Sequence, residues 1–271
     1  MKTYIVDSFT SEMFKGNPAG VCFVENELSD GQMLSIAQEL NLSETAFIEK
    51  KDSEKDYSIR FFSPKMEIPL CGHATLAAAK VIFDTCDLDE IIFTTIENVA
   101  LNIARKEEKI EMEFPIYQTY PATVNESLLQ ALGIDEVKNC VFNKETNILL
   151  LEIGRVQILR DLNPDFGALY KAHDSINGVL VTAVSDNHEY DFYSRYFWPW
   201  SGTNEDPVTG GTHTFLAKYW GDQLKKTTLK SFQCSQRTGF MELKLLNDKS
   251  LLIRASAVCV LEGELKLKID V

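Results

Sequence analysis

The sequence lacks nearly every local signature of a bound metal or nucleotide. None of its six cysteines form a C-x-x-C pair, and its four histidines show neither H-x-x-x-H nor H-x-H spacing. Closely spaced ligands on one element are the usual sequence sign of zinc, so no metal site is expected. Neither G-x-G-x-x-G nor G-x-x-x-x-G-K-[ST] occurs, which removes local support for a nucleotide, and no cofactor is expected. Positive charge is also short: 27 Lys and Arg face 40 Asp and Glu, a formal net charge of −13. A nucleic-acid binder needs a cationic face to displace counterions, and an anionic membrane repels such a chain. Neither partner is expected. No window approaches ~18 uninterrupted apolar residues, the length that spans a bilayer. The run "MKTYIVDSFTSEMF" turns polar too soon for a secretory signal. Cysteines scattered over 271 residues are not the dense framework of a small secreted domain. A reduced, cytoplasmic protein is the expectation.

What is present begins with bulk: 45% of the residues are apolar, enough for sizeable cores. Two stretches match, "IRFFSPKMEIPLCGHATLAAAK" from Ile59 and "SRYFWPWSGTNEDPVTGGTHTFLAKYW" from Ser194. Each reads Arg-aromatic-Phe-x-Pro, then a polar loop, then a Gly motif opening a helical run. Arg60 recurs as Arg195, about half the chain further on. At the same offset "DGQMLSIAQELNL" (30–42) meets "DFGALYKAHDSIN" (165–177), both with helical apolar spacing, and "ETAFIE" (44–49) meets "VLVTAV" (179–184), both strand-like. "VALNIARKEEKIEMEF" (99–114) resembles "FMELKLLNDKSLLIRA" (240–255) at an offset several residues longer, each a β-hairpin around "KEEK" or "NDK". The chain therefore reads as two copies of one α+β unit, residues 1–116 and 117–257. The tail "AVCVLEGELKLKIDV" has no counterpart in the first copy's plan. It alternates like a strand, and over about 258–271 it could return to the first domain.

The repeat directs attention to two Gly motifs. Cys71 and Asp206 lie equally far from Arg60 and Arg195, and so are read as equivalents, each directly before a helix start. Helix N-termini carry unpaired N–H groups and partial positive charge, so "CGHAT" and "TGGTHT" could cradle an anion across an interdomain cleft without Lys or Arg. Gly72, Gly210 and Gly211 would let a ligand approach the backbone closely. Cys71 could be a thiolate activated at a helix N-terminus or a buried, inert thiol. Asp206 could cap its helix, act in catalysis, or do both. His73, on a first helical turn, could shuttle a proton or make a structural hydrogen bond. Glu44 opens an apolar strand at a helix end, a costly place for a carboxylate unless paired or useful. Position alone also fits a solvated turn residue. Asn17 in "FKGNPAGV" reads as turn chemistry between strands.

Taken together, "DSFT…GNPAGV", "LSETAFI", "RFFSP…PLCGHATLAAA" and "EDPVTGGTHTFLAKYW" resemble the PhzF-like phenazine-biosynthesis family of the diaminopimelate-epimerase-like fold, in the same order along the whole chain. The resemblance implies two pseudo-symmetric domains, each a curled, barrel-like, mostly antiparallel sheet around a central helix, with the active site between them. It implies a cofactor-independent isomerase moving a proton on a small carboxylate-bearing substrate, and a homodimer. Glu44 matches the family's acid/base Glu, His73 its "GH" histidine and Asp206 its "EDP" aspartate. The backbone at Gly72, Ala74, Thr75, Gly210, Gly211 and Thr212 would hold the substrate carboxylate, with Asn17 nearby. One departure is Cys71: the phenazine enzyme has a small unreactive residue there, whereas diaminopimelate epimerases place one catalytic Cys there and a second at the Asp206 position. Two-thiol epimerisation is thereby excluded, while proton transfer centred on Glu44, or on Cys71 with Asp206, is not. An amino-acid racemase or epimerase, and a catalytically silent ligand- or protein-binding member of the fold, are the alternatives.

Overall fold

Stretches that alternate apolar and polar residues, or run apolar briefly between turn signals, become strands. The computed structural model describes residues 1–201 and 203–267, which hold eighteen strands and six α-helices. In order come β1 (Lys2–Ser8), β2 (Asn17–Phe23), α1 (Asp30–Leu40), β3 (Glu44–Lys50), β4 (Asp56–Phe62), β5 (Glu67–Ile68), α2 (Gly72–Thr85), β6 (Glu90–Thr94), β7 (Ala100–Lys106) and β8 (Lys109–Pro115). The next run is β9 (Thr119–Pro121), α3 (Glu126–Leu132), β10 (Asn139–Asn143), β11 (Ile148–Glu152), α4 (Val156–Asp161), α5 (Phe166–Ala172), β12 (Gly178–Val184) and β13 (Phe192–Trp198). Last are β14 (Thr203–Glu205), α6 (His213–Leu224), β15 (Thr228–Gln233), β16 (Gly239–Leu245), β17 (Ser250–Ala255) and β18 (Ala257–Glu264). The chain divides into two compact units, Met1–Glu113 with the stretch from Ile253 onward, and Phe114–Leu252.

In the first unit β18, β1 and β2 pair antiparallel, β2 runs parallel to β3, β3 antiparallel to β4, β4 parallel to β6, and β6, β7 and β8 antiparallel. The second unit repeats this: β9, β10 and β11 antiparallel, β11 parallel to β12, β12 antiparallel to β13, β13 parallel to β15, and β15 antiparallel to β16. Parallel neighbours cannot be joined by a tight turn and need a crossover, usually helical. Helices fall at those steps: α1 between β2 and β3, α2 between β4 and β6, α4 and α5 between β11 and β12, and α6 between β13 and β15.

Three expectations change. The tail is not without a counterpart, because β18 stands to β1 as the three-residue β9 stands to β10. Residues 268–271 of that predicted strand lie outside the described residues. The helix predicted over 165–177 ends at Ala172, and α3 and α4 are additional. Asn17 is the first residue of β2, fully buried, and not part of a turn.

The alanine-rich run of α2 has a packing cause. This helix touches β1, β2, β3 and β18, and Ala74, Leu76, Ala77, Ala78 and Ala79 are wholly buried. Small side chains let strands approach a helix closely on several sides. α1 is fixed by a capping box between Ser29 and Gln32 and ends at Asn41 in the left-handed region (φ 49°). The second unit's core gathers α3, α4 and α5 against β11, β12 and β13 through Leu128, Leu132, Leu159, Leu169, Val181 and Phe197. Among the described residues no helix is long and apolar enough to cross a membrane.

Candidate active site

The first cluster is built where α1 hands over to β3. After Asn41 the chain turns, and the parallel register sets Glu44 beside Ala19 of β2. That places Ser43 next to the start of β2, its hydroxyl 3.4 Å from both Asn17 Oδ1 and the Pro18 carbonyl, to which it donates. The start of α2 meets the same spot. Ser8, the last residue of β1, donates its hydroxyl to the His73 carbonyl at 2.7 Å, tying the first turn of α2 to the sheet. Cys71 is the N-cap of α2 and makes no side-chain capping hydrogen bond to the helix amides. The Thr75 hydroxyl instead returns to the Cys71 carbonyl at 2.7 Å.

Three groups converge there. His73 Nε2 lies 3.1 Å from Glu44 Oε2, with side-chain exposures of 10% and 12%. On the other side of the ring, Nδ1 is 3.3 Å from Cys71 Sγ. Ser43 Oγ is 3.3 Å from Nε2. Burial alone would raise the Glu44 carboxyl, but the hydrogen bond and charge of His73, with help from Ser43, outweigh it and hold the group below its ordinary range. Burial alone would favour a neutral imidazole. The contacts with Cys71 and Glu44 reverse that and hold His73 well above the ordinary histidine range. Burial pushes the Cys71 thiol up, against the pull of His73, so near neutral pH the charge facing His73 is the Glu44 carboxylate.

Ligand atoms of Glu44, Cys71 and His73 all lie within 4.8 Å of one another. Spacing along the chain could not reveal this, because Glu44 arrives from a different element than Cys71 and His73.

The second cluster, in the other unit, centres on Asp206, which is also buried. Asp206 Oδ2 accepts from the Thr209 hydroxyl, its carbonyl accepts from Gln233 Nε2 at 2.7 Å, and Gln233 Oε1 accepts from the Thr209 amide at 2.9 Å. Its own amide donates to the Tyr196 carbonyl at 3.1 Å. Burial, and then the Asp206 charge, push the Tyr196 phenol far up. Asp206 is therefore not the helix N-cap; that position belongs to Thr212. The amides of His213 and Thr214 already bond the Gly210 and Gly211 carbonyls, and those of Phe215 and Leu216 bond Thr212. Those of Gly210, Gly211 and Thr212 are what this motif offers an anion. His213 is structural. Wholly buried, it hydrogen-bonds the Thr209 carbonyl at 2.9 Å and the Ser231 hydroxyl at 3.0 Å, and burial lowers it to about 4.

Strand register revises the equivalence of the two motifs. Glu67 faces Phe62 as Glu205 faces Phe197, so Asp206 is the counterpart of Ile68, and Pro207 that of Pro69. Counting on, Cys71 answers Thr209 rather than Asp206. The extra residues of the second copy precede α6, among them a 3-10 turn at Pro199–Ser201. Ser8, Ser43, Thr209 and Gln233 were not singled out from sequence. Ser8 and Ser43 fall inside the "DSFT" and "LSET" motifs, a signal that was available, while Gln233 sits in a strand with no distinguishing context.

The mixed fold, mostly strands, is one that solved structures named as a racemase and an epimerase also have. A probable proline racemase from Agrobacterium radiobacter aligns over 98% of this chain and 93% of its own at a TM-score of 0.57 and 8% identity, a likeness of fold alone. The chain itself belongs to the PhzC-PhzF family of phenazine biosynthesis-like proteins, whose profile matches residues 6–263. The crystal structure of a PhzF-family protein from Enterococcus faecalis is similar at a TM-score of 0.90 and 38% identity, covering 98% of this chain and 99% of that one. A protein of Halalkalibacterium halodurans called an uncharacterized isomerase is 40% identical, covering 97% of this chain and 98% of its own.

Proposed function

We propose that the chain is a cofactor-independent isomerase that moves a proton within a small carboxylate-bearing substrate, with Glu44 as the acid/base. The observation that carries this reading is the buried Glu44–His73 pair at 3.1 Å, set at a helix N-terminus that no side chain caps. A single proton can reside on either partner. As a carboxylate, Glu44 takes a proton from a carbon next to, or vinylogous with, an electron-withdrawing group. Having taken it, Glu44 returns it to another carbon of the same molecule. His73 stabilises the carboxylate between these steps, and Cys71 fixes the far side of the ring. The first-turn amides at Gly72 and Ala74 suit a substrate carboxylate and the negative charge that develops.

The family membership and the isomerase designation of the Halalkalibacterium relative support the reaction class. We further read the two units as copies of one ancestral unit, each a curled sheet around its central helix, in a homodimeric cytoplasmic protein. The repeated order of strand pairings supports the duplication, and the six free cysteines suit a reducing compartment. The test is proton exchange in heavy water with a panel of small cyclic and amino-acid-like carboxylates, followed by NMR and mass spectrometry. The wild type should place deuterium at a substrate carbon, and Glu44→Gln should lower the rate by about 10²–10⁴-fold. Equal rates in the two proteins would remove Glu44 from the chemistry.

A further inference from the structure

The sheet of the first unit ends on β18. Among the described residues β18 pairs with β1 along one edge, from Lys2 opposite Glu264 to Ser8 opposite Ala257, and no strand pairs with its other edge. The irregular step in this pairing falls between Ile5 and Val6, so the stretch from Leu261 onward is a regular strand. Leu261, Glu262, Gly263 and Glu264 are all exposed, which leaves this end of β18 open on both faces. Leu261 is 48% exposed and Leu267, just past the strand, 36%. An open edge is a row of amides and carbonyls ready to pair with another strand. The inner pairing decides which groups face outward. The Leu265 amide donates to the Met1 carbonyl at 2.9 Å, and the Met1 ammonium donates to the Leu265 carbonyl at 3.1 Å. Leu265 therefore faces β1, and the alternation of an antiparallel strand turns the amides and carbonyls of Glu264 and Lys266 away from it. Both side chains are exposed.

From this we infer that the outer edge of β18 is the surface through which two copies of this chain join, antiparallel, around a twofold axis at Leu265. That register sets Glu264 opposite Lys266 of the partner subunit, and Lys266 opposite the partner subunit's Glu264. The outward amides and carbonyls that form the new ladder belong to the same two residues, so backbone and charge select one register. An axis at Gly263 would instead set Glu262 opposite the partner's Glu264, like charge against like. On the other face Leu267 falls diagonal to the partner's Leu261, so the two exposed leucines cover each other. The inference rests on the homodimeric reading above and supplies its surface. A contact of this length is small, so the dimer is weak and depends on concentration.

Sedimentation velocity of the full chain across a range of concentrations tests this. The wild type should pass from monomer to dimer as concentration rises. Lys266→Glu, which sets two like-charged pairs across the axis, should raise the dissociation constant about tenfold or more. The double variant Glu264→Lys with Lys266→Glu makes both pairs opposite in sign again and should restore the wild-type constant. Both positions are exposed, so the melting temperature of each monomer should stay unchanged. A dimer indifferent to Lys266→Glu, or a double variant as weak as the single one, overturns the edge assignment and leaves the homodimer standing. A wild type that stays monomeric at every concentration overturns both.

Discussion

At the scale of single residues, the account rests on how a carboxylate and an imidazole tolerate burial. Each would be neutral alone; together they remain charged, because each supplies what the other loses with water. This has a stability consequence with a definite sign. The Glu44 carboxyl is held down, so its contribution is complete above its unfolded value near 4.5 and is lost as pH falls through the lower folded value. The His73 proton is held up, so its contribution is complete below its unfolded value near 6.5 and is lost as pH rises through the higher folded value. The excess thermal stability of the wild type over Glu44→Gln should therefore be largest between about pH 4.5 and pH 6.5 and shrink on either side. Thermal melts of both proteins from well below pH 4.5 to well above pH 6.5 check it; a difference that stays the same over that whole span would contradict the pairing. Position alone left Glu44 readable as a solvated turn residue and His73 as a structural group; the likeness of "LSET" and "CGH" to the family's motifs is what made both legible. Their contact was not, since it depends on the parallel register of β2 with β3.

At the scale of elements, the β1–β2 connection decides how well α2 is seated. Gly16 adopts φ 66°, and a Cβ there would stand 2.1 Å from the Ser8 carbonyl oxygen. Ser8 in turn holds the His73 carbonyl. Gly16→Ala should cost about 1–3 kcal/mol from backbone strain alone, measured by denaturant unfolding, and should slow proton exchange by displacing the start of α2. An unchanged midpoint would show that the loop rearranges freely. The "KEEK" and "NDK" hairpins, the helix at 30–40 and the strands at 44–50 and 178–184 were readable from periodicity and turn residues. α3 and α4 were not, being six or seven residues long, too short to show a full amphipathic repeat. β9 escaped for a similar reason: three residues with a proline carry no alternation.

At the scale of the whole molecule, the recurring Arg-aromatic-Phe motif has a structural cause. Arg60 clamps Glu67 through two hydrogen bonds of 2.7 Å, and Arg195 clamps Glu205 through bonds of 2.7 and 2.8 Å. Each pair fastens a short strand, β5 or β14, ahead of a Gly motif. Arg195 goes further: buried, it also donates to the Leu162 carbonyl at 2.6 Å and the Leu159 carbonyl at 3.2 Å. Arg195→Ala should therefore destabilise by about 3–5 kcal/mol, because it leaves the mostly covered Glu205 carboxylate and the Leu159 and Leu162 carbonyls without their donor. Arg60→Ala, at a half-buried pair whose further partner Asp30 is exposed, should cost less. Calorimetry of the two variants checks the order, and equal losses would contradict it. The repeat was visible because these arginines and the Gly motifs recur in order. The wrong equivalence of Cys71 with Asp206 arose because distance from the arginine was counted along the chain. The strand register instead counts from the clamped glutamates.

The central claim is that Glu44 and His73 share a proton in a buried pair that is charged at neutral pH. Nitrogen-15 NMR of the imidazole reads this directly and needs no substrate. In the wild type His73 should show both ring nitrogens protonated at pH 7, and in Glu44→Gln the same ring should be neutral. A neutral His73 in the wild type at that pH would contradict the account.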